Sequence, residues 1–333
     1  MANIIFSEGS NLNNSIFGKS QEPIKMFLEK RAEAFEAESI AKQIFSMQPS
    51  THWAEKFTSM TAMDGFQPVG ENGAYPVDGM QEGYSKTLEN ITWKNSFSIS
   101  REMIDDAQLM NLKQKPQAFI TSYYRTREQY AAALIGGAMA GTSTKFKGFT
   151  CDLKGADGVS LFATNHPSKV KGGTQSNKFG DAFSATTLGA AETAMQNFRG
   201  DNGEILDVAP DTIIIPNDYA LKNAVFSAIG ADKSPDTANN AFNYVYGRWN
   251  VIVWPYLNQF VSSSDAPWIL FDSKYNSTCG GAVWLDRVKL EVKSEIAAND
   301  ANEWKGYARF VAGFNDWRSF LVCGINGAST IVS

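Results

Sequence analysis

One stretch limits the possible folds more than any other. Residues Pro116 to Ala140 read PQAFITSYYRTREQYAAALIGGAMA. Apolar side chains recur at Ile120, Tyr123, Tyr124, Ala131, Leu134, Ile135 and Ala138, which is helical spacing with one broad apolar face. Arg125, Glu128 and Gln129 fall largely off that face. Pro116 suits a first helical position, where its missing N–H costs nothing. Gly141 and the Thr142–Ser143–Thr144 run stop the helix. At 1.5 Å per residue the helix is about 37 Å long, so it must lie along a sheet or a partner. Gly136 and Gly137 weaken its last turn by roughly 1 kcal/mol each against alanine.

The rest of the composition fits a large folded core. The chain has 333 residues, 43% hydrophobic and 20% charged, enough for about two domains. Its formal net charge of −5 argues against tight general binding to nucleic acid, while leaving room for a locally basic surface. No run of about 18 apolar residues is present, so a membrane span is not expected. The start, MANIIFSEGSNLNNS, lacks the basic and apolar regions of a signal peptide, which points to the cytoplasm. Cys151, Cys279 and Cys323 are far apart and are expected to be reduced thiols. Six of the eight tryptophans lie beyond position 240, weighting the core or an interface toward the C-terminal third.

Along the chain, residues 1–20 read as an extended arm. Pro23 opens a helix expected to reach about Met47. Residues 63–84 carry Gly, Pro, Asn or Asp every few positions and read as a long loop or irregular hairpin, a kind of segment that is usually functional or mobile. Ile91, Trp93, Phe97 and Ile99 alternate with polar residues, which is strand periodicity. A short helix is expected over Arg101–Leu112. Residues 145–182 are loop-like. Thr187 is expected to cap a helix ending at Gly200, Asp211–Pro216 reads as a buried strand, and Asn217–Asp218 cap a helix over Tyr219–Ile229. Gly230–Asn243 reads as a polar loop. Asn250–Trp254 and Trp268–Asp272 are short strands. Val288–Val292 and Trp304–Phe314 form a pair across an Asn299–Asn302 turn, and Trp317–Ile325 is a last strand.

Little in this pattern carries chemistry. Gly136 and Gly141 have the glycine spacing of a phosphate-binding loop, but the following Thr142–Ser143 lacks the lysine and no strand precedes. With two histidines, His52 and His166, a histidine-rich metal site is impossible. Cys151 and His166 form the one conceivable nucleophile–base pair, although nothing around Cys151 resembles a protease signature. Asp105 and Asp106 are adjacent and would diverge by about 100° on a helix. Lys169, Lys171 and Lys178 read as a solvated loop, or as a contact for an acidic neighbour. In the Asn165–His166–Pro167 loop, Asn and Pro shape the turn and the imidazole makes at most a local hydrogen bond, so His166→Gln is expected to be mild. The expectation is therefore no catalytic residue, no cofactor and no metal, in an α+β protein with an arm and a long loop, features that suit an assembly protein.

The segment Asp157–Pro167, DGVSLFATNHP, resembles the L-F-x-x-x-H-P signature of Mu-like bacteriophage major head proteins. The similarity continues in order through SATTLGAAETAMQNFRG, PDTIIIPND, NVIVWPYL, WILFD and the Gly-Phe-x-x-Trp-Arg of GFNDWRSF, over roughly residues 90–325. This resemblance implies the Hong Kong 97-type capsid fold. It implies an N-terminal arm at 1–62, an extended hairpin at 63–95, a peripheral domain from 96–150 and 283–316, and an axial domain from 151–282 and 317–333. It further implies a non-enzymatic shell subunit of a tailed-phage head, located in the virion. Copies would form pentamers and hexamers around double-stranded DNA contacted non-specifically, with separate scaffold, portal and decoration proteins. Some relatives cross-link a hairpin lysine to an asparagine beside a glutamate. Lys86 matches the lysine, but KGYARFVAG offers neither partner, so cross-linking is not implied here. A bacterial nanocompartment with the same fold, and a hydrolase using Cys151 and His166, are the alternatives.

Overall fold

The computed structural model describes residues 4–7, 31–60, 66, 68–75, 77, 82–105, 109–170, 172–230, 243, 245–299 and 301–332. Most of the expected 1–20 arm, residues 23–30 of the first helix, much of the 61–81 loop and residues 231–242 of the polar loop lie outside the described residues. Two compact units emerge, one from residues 1–55, 88–131 and 284–312, the other from 56–87, 132–283 and 313–333.

The first unit begins with β1 (Ile4–Ser7), then a helical stretch α1 (31–38), α2 (Ile40–Ile44) and β2 (Ser46–Pro49). The helix expected to run to Met47 is thus broken at Ser39 and ends at Ile44. Ser39 is the reason for the break: its extended backbone and side-chain acceptor for Lys42 N–H make it an N-cap, which restarts the helix. The next strands in chain order are β3 (Ala54–Met60), β4 (Glu82–Glu89) and β5 (Ile91–Ile99).

After α3 (Arg101–Asp105) comes α4 (Leu109–Ala140), which at 32 residues is about 48 Å long. It starts before Pro116, which sits inside it. That placement leaves the Leu112 carbonyl without its usual i+4 donor. The stretch 109–112, expected to close a separate short helix, is the opening of this one. The periodicity read from sequence does mark the buried face: Ile120, Tyr124, Ala131, Leu134, Ile135 and Ala138 are all buried. Gly136, inside the helix, leaves no room for a side chain. A Cβ there would lie 2.8 Å from Cβ of Phe260, too close for contact.

Past the two-residue ladders β6 (Lys145–Phe146) with β7 (Phe149–Thr150), and β8 (His166–Pro167) with β9 (Thr174–Gln175), the second unit's core begins. Helix α5 (Ala185–Gln196) is capped by Ser184, with Thr187 as the reciprocal third-position partner rather than the cap itself. Then come β10 (Thr212–Ile215), α6 (Tyr219–Ile229) capped by Asp218, β11 (Asn250–Val253), β12 (Trp268–Phe271) and α7 (Ser273–Cys279). The chain ends with the long β13 (Ala282–Ile296), β14 (Asn302–Phe314) and β15 (Phe320–Cys323).

In the first unit the sheet runs β1-β13-β14-β5, with β2 also on β13. Strand β1 is parallel to β13, and β5 is antiparallel to β14 with Trp93 opposite Ala308 and Phe97 opposite Trp304. One parity of these strands faces α4. Trp93 stacks on Phe310 at 5.1 Å and Phe97 on Trp304 at 5.1 Å, while Tyr130 of α4 reaches Trp93 at 5.5 Å and Trp284 at 5.9 Å. Each such pair adds about 0.5–1.5 kcal/mol beyond buried area. The second unit has the sheet β11-β10-β12-β15, with β10 parallel to β11 and antiparallel to β12. Every residue of β10, β12 and β15 is buried, which is why those runs, Thr212 apart, are apolar at successive positions rather than alternating.

Candidate functional site

Each chemical candidate read from the sequence has a definite place. Gly136 lies within α4 and Gly141 just beyond it with φ +69°, a helix end rather than a strand–loop–helix cradle. Asp105 closes α3, and Asp106 lies outside the described residues. Among the described residues no three His, Cys, Asp or Glu side chains cluster as a metal site would require.

Cys151 is buried, and burial pushes its thiol up to about 11, the opposite of nucleophile activation. His166 is occupied elsewhere. It is fully buried, with Nδ1 2.6 Å from Asp157 Oδ2 and Nε2 3.1 Å from Asn177 Oδ1, and its ring stacks on Trp317 at 4.2 Å. The expectation of a single local hydrogen bond was therefore too small, and with it the expectation that His166→Gln is mild. A glutamine offers its donors at one end only and cannot meet two oxygens on opposite sides.

The lysines are not one solvated group. Lys169 Nζ donates to the Glu82 and Gly83 carbonyls and lies 5.6 Å from the Tyr84 ring, holding the start of β4. Lys178 Nζ reaches the Met139 carbonyl at 3.4 Å, at the last turn of α4, where a cation complements the helix dipole; burial lowers its pKa. Lys171 lies outside the described residues. Lys86 is paired with Asp152.

Arg127, which interrupts the apolar face of α4, anchors the first unit. Its guanidinium grips Asp286 with two bonds of 2.8 and 3.0 Å, touches Tyr123 Oη at 3.1 Å and lies 4.6 Å from the Trp284 ring. Burial opposes its charge, but Tyr123 and Asp286 outweigh that and raise its pKa. One helical step on, Glu128 accepts from Ser39 Oγ and from the Ala41 N–H, so the spine helix caps α2 in trans. Burial raises the Glu128 pKa, against the pull of those bonds.

Several large apolar side chains are left exposed. Phe66, Tyr75 and Val77 are essentially fully exposed and Val69 half so, all between β3 and β4; Tyr219 and Phe226 stand out from α6, with Tyr246 beyond it. On the solvent face of the first unit's sheet, a depression of about 680 Å³ is lined by Lys94, Glu291, Lys293, Lys305 and Tyr307 among others. No helix among the described residues is long and apolar enough to cross a membrane.

The family model described as phage capsid protein matches residues 85–323. Among solved structures, the capsid of Ralstonia phage GP4 is similar over 86% of this chain and 87% of its own, with a TM-score of 0.51 and 11% identity. The procapsid of bacteriophage JBD30 covers 94% of this chain and 77% of its own, with a TM-score of 0.49 and 13% identity. Among curated proteins, none matches the chain by sequence.

Proposed function

The chain belongs to the family of phage capsid proteins, a structural subunit of a bacteriophage head with the Hong Kong 97-type α+β fold, and from that premise we propose how it serves there. Copies assemble as pentamers and hexamers into an icosahedral shell around double-stranded DNA. The observation that carries this reading is the family match across residues 85–323. The exposed side chains support it: Phe66, Tyr75 and Val77, with Tyr219 and Phe226, are large apolar groups left in water by a single copy, and neighbouring copies would cover them. We assign the arm to 1–62 and the hairpin to 63–95. The peripheral domain takes 96–150 and 283–316, and the axial domain 151–282 and 317–333.

The subunit does its work by packing, with no catalytic residue, cofactor or metal of its own. Held on Asp157 and Asn177, His166 offers nothing to Cys151, whose thiol stays protonated at neutral pH. A net charge of −5 suits DNA held by confinement and non-specific contact rather than by tight binding. Scaffold, portal and decoration proteins complete the set of partners. The test is recombinant protein on size exclusion followed by negative-stain microscopy. Shells, tubes or capsomers are the expected result. A monomer at every concentration, with a hydrolytic activity lost in Cys151→Ala, would overturn the reading.

A further inference from the structure

The surroundings of His166 fix more than its position. Three backbone groups decide which end of the Asn177 amide is which. The Ala163 N–H donates to Oδ1 at 3.0 Å, and Nδ2 donates to the Leu161 carbonyl at 2.7 Å and the Phe320 carbonyl at 3.1 Å. Flipping the amide would set donor against donor and carbonyl against two carbonyls. Oδ1 therefore accepts from His166, and Nε2 must carry a hydrogen. On the other side, Asp157 Oδ1 already accepts the Val159 N–H at 3.1 Å, and Oδ2 meets Nδ1 at 2.6 Å, a separation that needs a hydrogen between them. A neutral imidazole has one N–H, whereas this site uses two. The Trp317 indole lies nearly parallel to the ring, 13° off and 4.2 Å away, where its π-face favours a cation.

We propose that His166 is held as an imidazolium and serves as a charge latch that closes residues 155–170 and 172–177 onto the last strand and thereby clamps the base of the hairpin. The links are continuous within the second unit. Asn177 bonds the Phe320 carbonyl on β15. His166 itself opens β8, and immediately after it Ser168 Oγ donates to the Asp201 carbonyl while Lys169 Nζ holds the Glu82 and Gly83 carbonyls. The charged and titratable groups around the pair are Asp157, the Arg318–Asp201–Asp316 set beside Trp317, and Tyr84 and Lys169 on the hairpin side. Arg318 is committed to Asp201 and Asp316, so among the described residues His166 is the countercharge for Asp157. Taking the proton from between Nδ1 and Oδ2 sets two lone pairs against each other in a dry interior.

This goes beyond shell building and can be tested apart from it. The chain has two histidines, so ¹⁵N-histidine labelling gives two ring signals, and His52→Gln assigns them. Magic-angle-spinning NMR on sedimented protein at neutral pH should show both His166 nitrogens protonated. In Asp157→Asn the new amide can donate to Nδ1, and the ring should convert to the neutral form with hydrogen on Nε2. In His166→Gln, amide exchange at residues 82–84 and 168–170 should rise at least tenfold. An unprotonated ring nitrogen on His166 in the unaltered protein overturns the charge. Unchanged exchange at 82–84 in a folded His166→Gln overturns the clamp.

Discussion

Replacing Asp286 by asparagine tests how the spine helix is held. Arg127 and Asp286 form a two-bond pair of 2.8 and 3.0 Å, and their side chains are only 15% and 20% exposed. Breaking a buried pair by removing one charge costs about 3–5 kcal/mol, because the other charge stays behind unpaired. Two features soften the loss here. Tyr123 Oη still accepts from the guanidinium, and Trp284 and Phe310 still present their rings to it. The expectation is therefore at the lower end, about 3 kcal/mol. The assay is urea unfolding followed by tryptophan emission, on dissociated subunits at one fixed concentration, since assembly adds its own stability. With a urea slope of about 1–3 kcal/mol per molar, the midpoint should fall by about 1 M or more. Arg127→Met with Asp286→Leu removes both charges and should recover at least half of the loss. A fall of under about 0.3 M, or a double variant no better than the single one, would refute the claim that an uncompensated charge is what hurts.

Three other outcomes follow from the geometry. The raised pKa of Glu128 means that its folded form binds a proton more readily than its unfolded form. Its contribution is thus complete below the ordinary carboxylate range and is lost as pH rises through its folded value. Glu128→Gln should flatten the stability slope just above that range, as read by urea midpoints across mildly acid pH. Gly136→Ala gains roughly 1 kcal/mol of helix propensity but meets Phe260 at 2.8 Å or closer. The expected net effect is a loss of about 1–2 kcal/mol, seen as a lower melting temperature. In timed alkylation with mass spectrometry, exposed Cys279 should be labelled well before buried Cys151, and faster labelling of Cys151 would contradict its burial.

Much of the frame was legible in the sequence because it rests on periodicity. The alternation at Ile91, Trp93, Phe97 and Ile99 and the DTIIIP run both correspond to strands, and the 3.6-residue repeat marked the buried face of α4. The order of motifs from DGVSLFATNHP to GFNDWRSF agreed with the family match. Signals that depend on distant partners were not legible. Ser39 carries a local N-cap signal through Lys42, but its second partner, Glu128, lies 89 residues away and leaves no local trace. Arg127 reads only as an interruption of the apolar face of α4 until Asp286, 159 residues on, is placed beside it. His166 reads as a loop residue because Trp317, which covers its face, comes from the far end of the chain. The Lys169, Lys171 and Lys178 spacing suggested one solvated patch, yet Lys169 and Lys178 each turn to a different backbone carbonyl. The hydrophobic repeat cannot encode such long-range polar pairs.

The parallel pairing of β1 with β13 sets a timetable. Ile4 lies opposite Leu290, so the partner of the fourth residue is made 286 residues later. At about 5–20 residues per second on the ribosome, Ile4–Ser7 wait roughly 15–60 seconds for the strand they pair with. Strands β10, β11 and β12 are all complete before Leu290 emerges, so much of the second unit's sheet can form while the first unit's remains open along that edge. The order of synthesis thus makes closure of the edge by β1 one of the last steps in building the subunit.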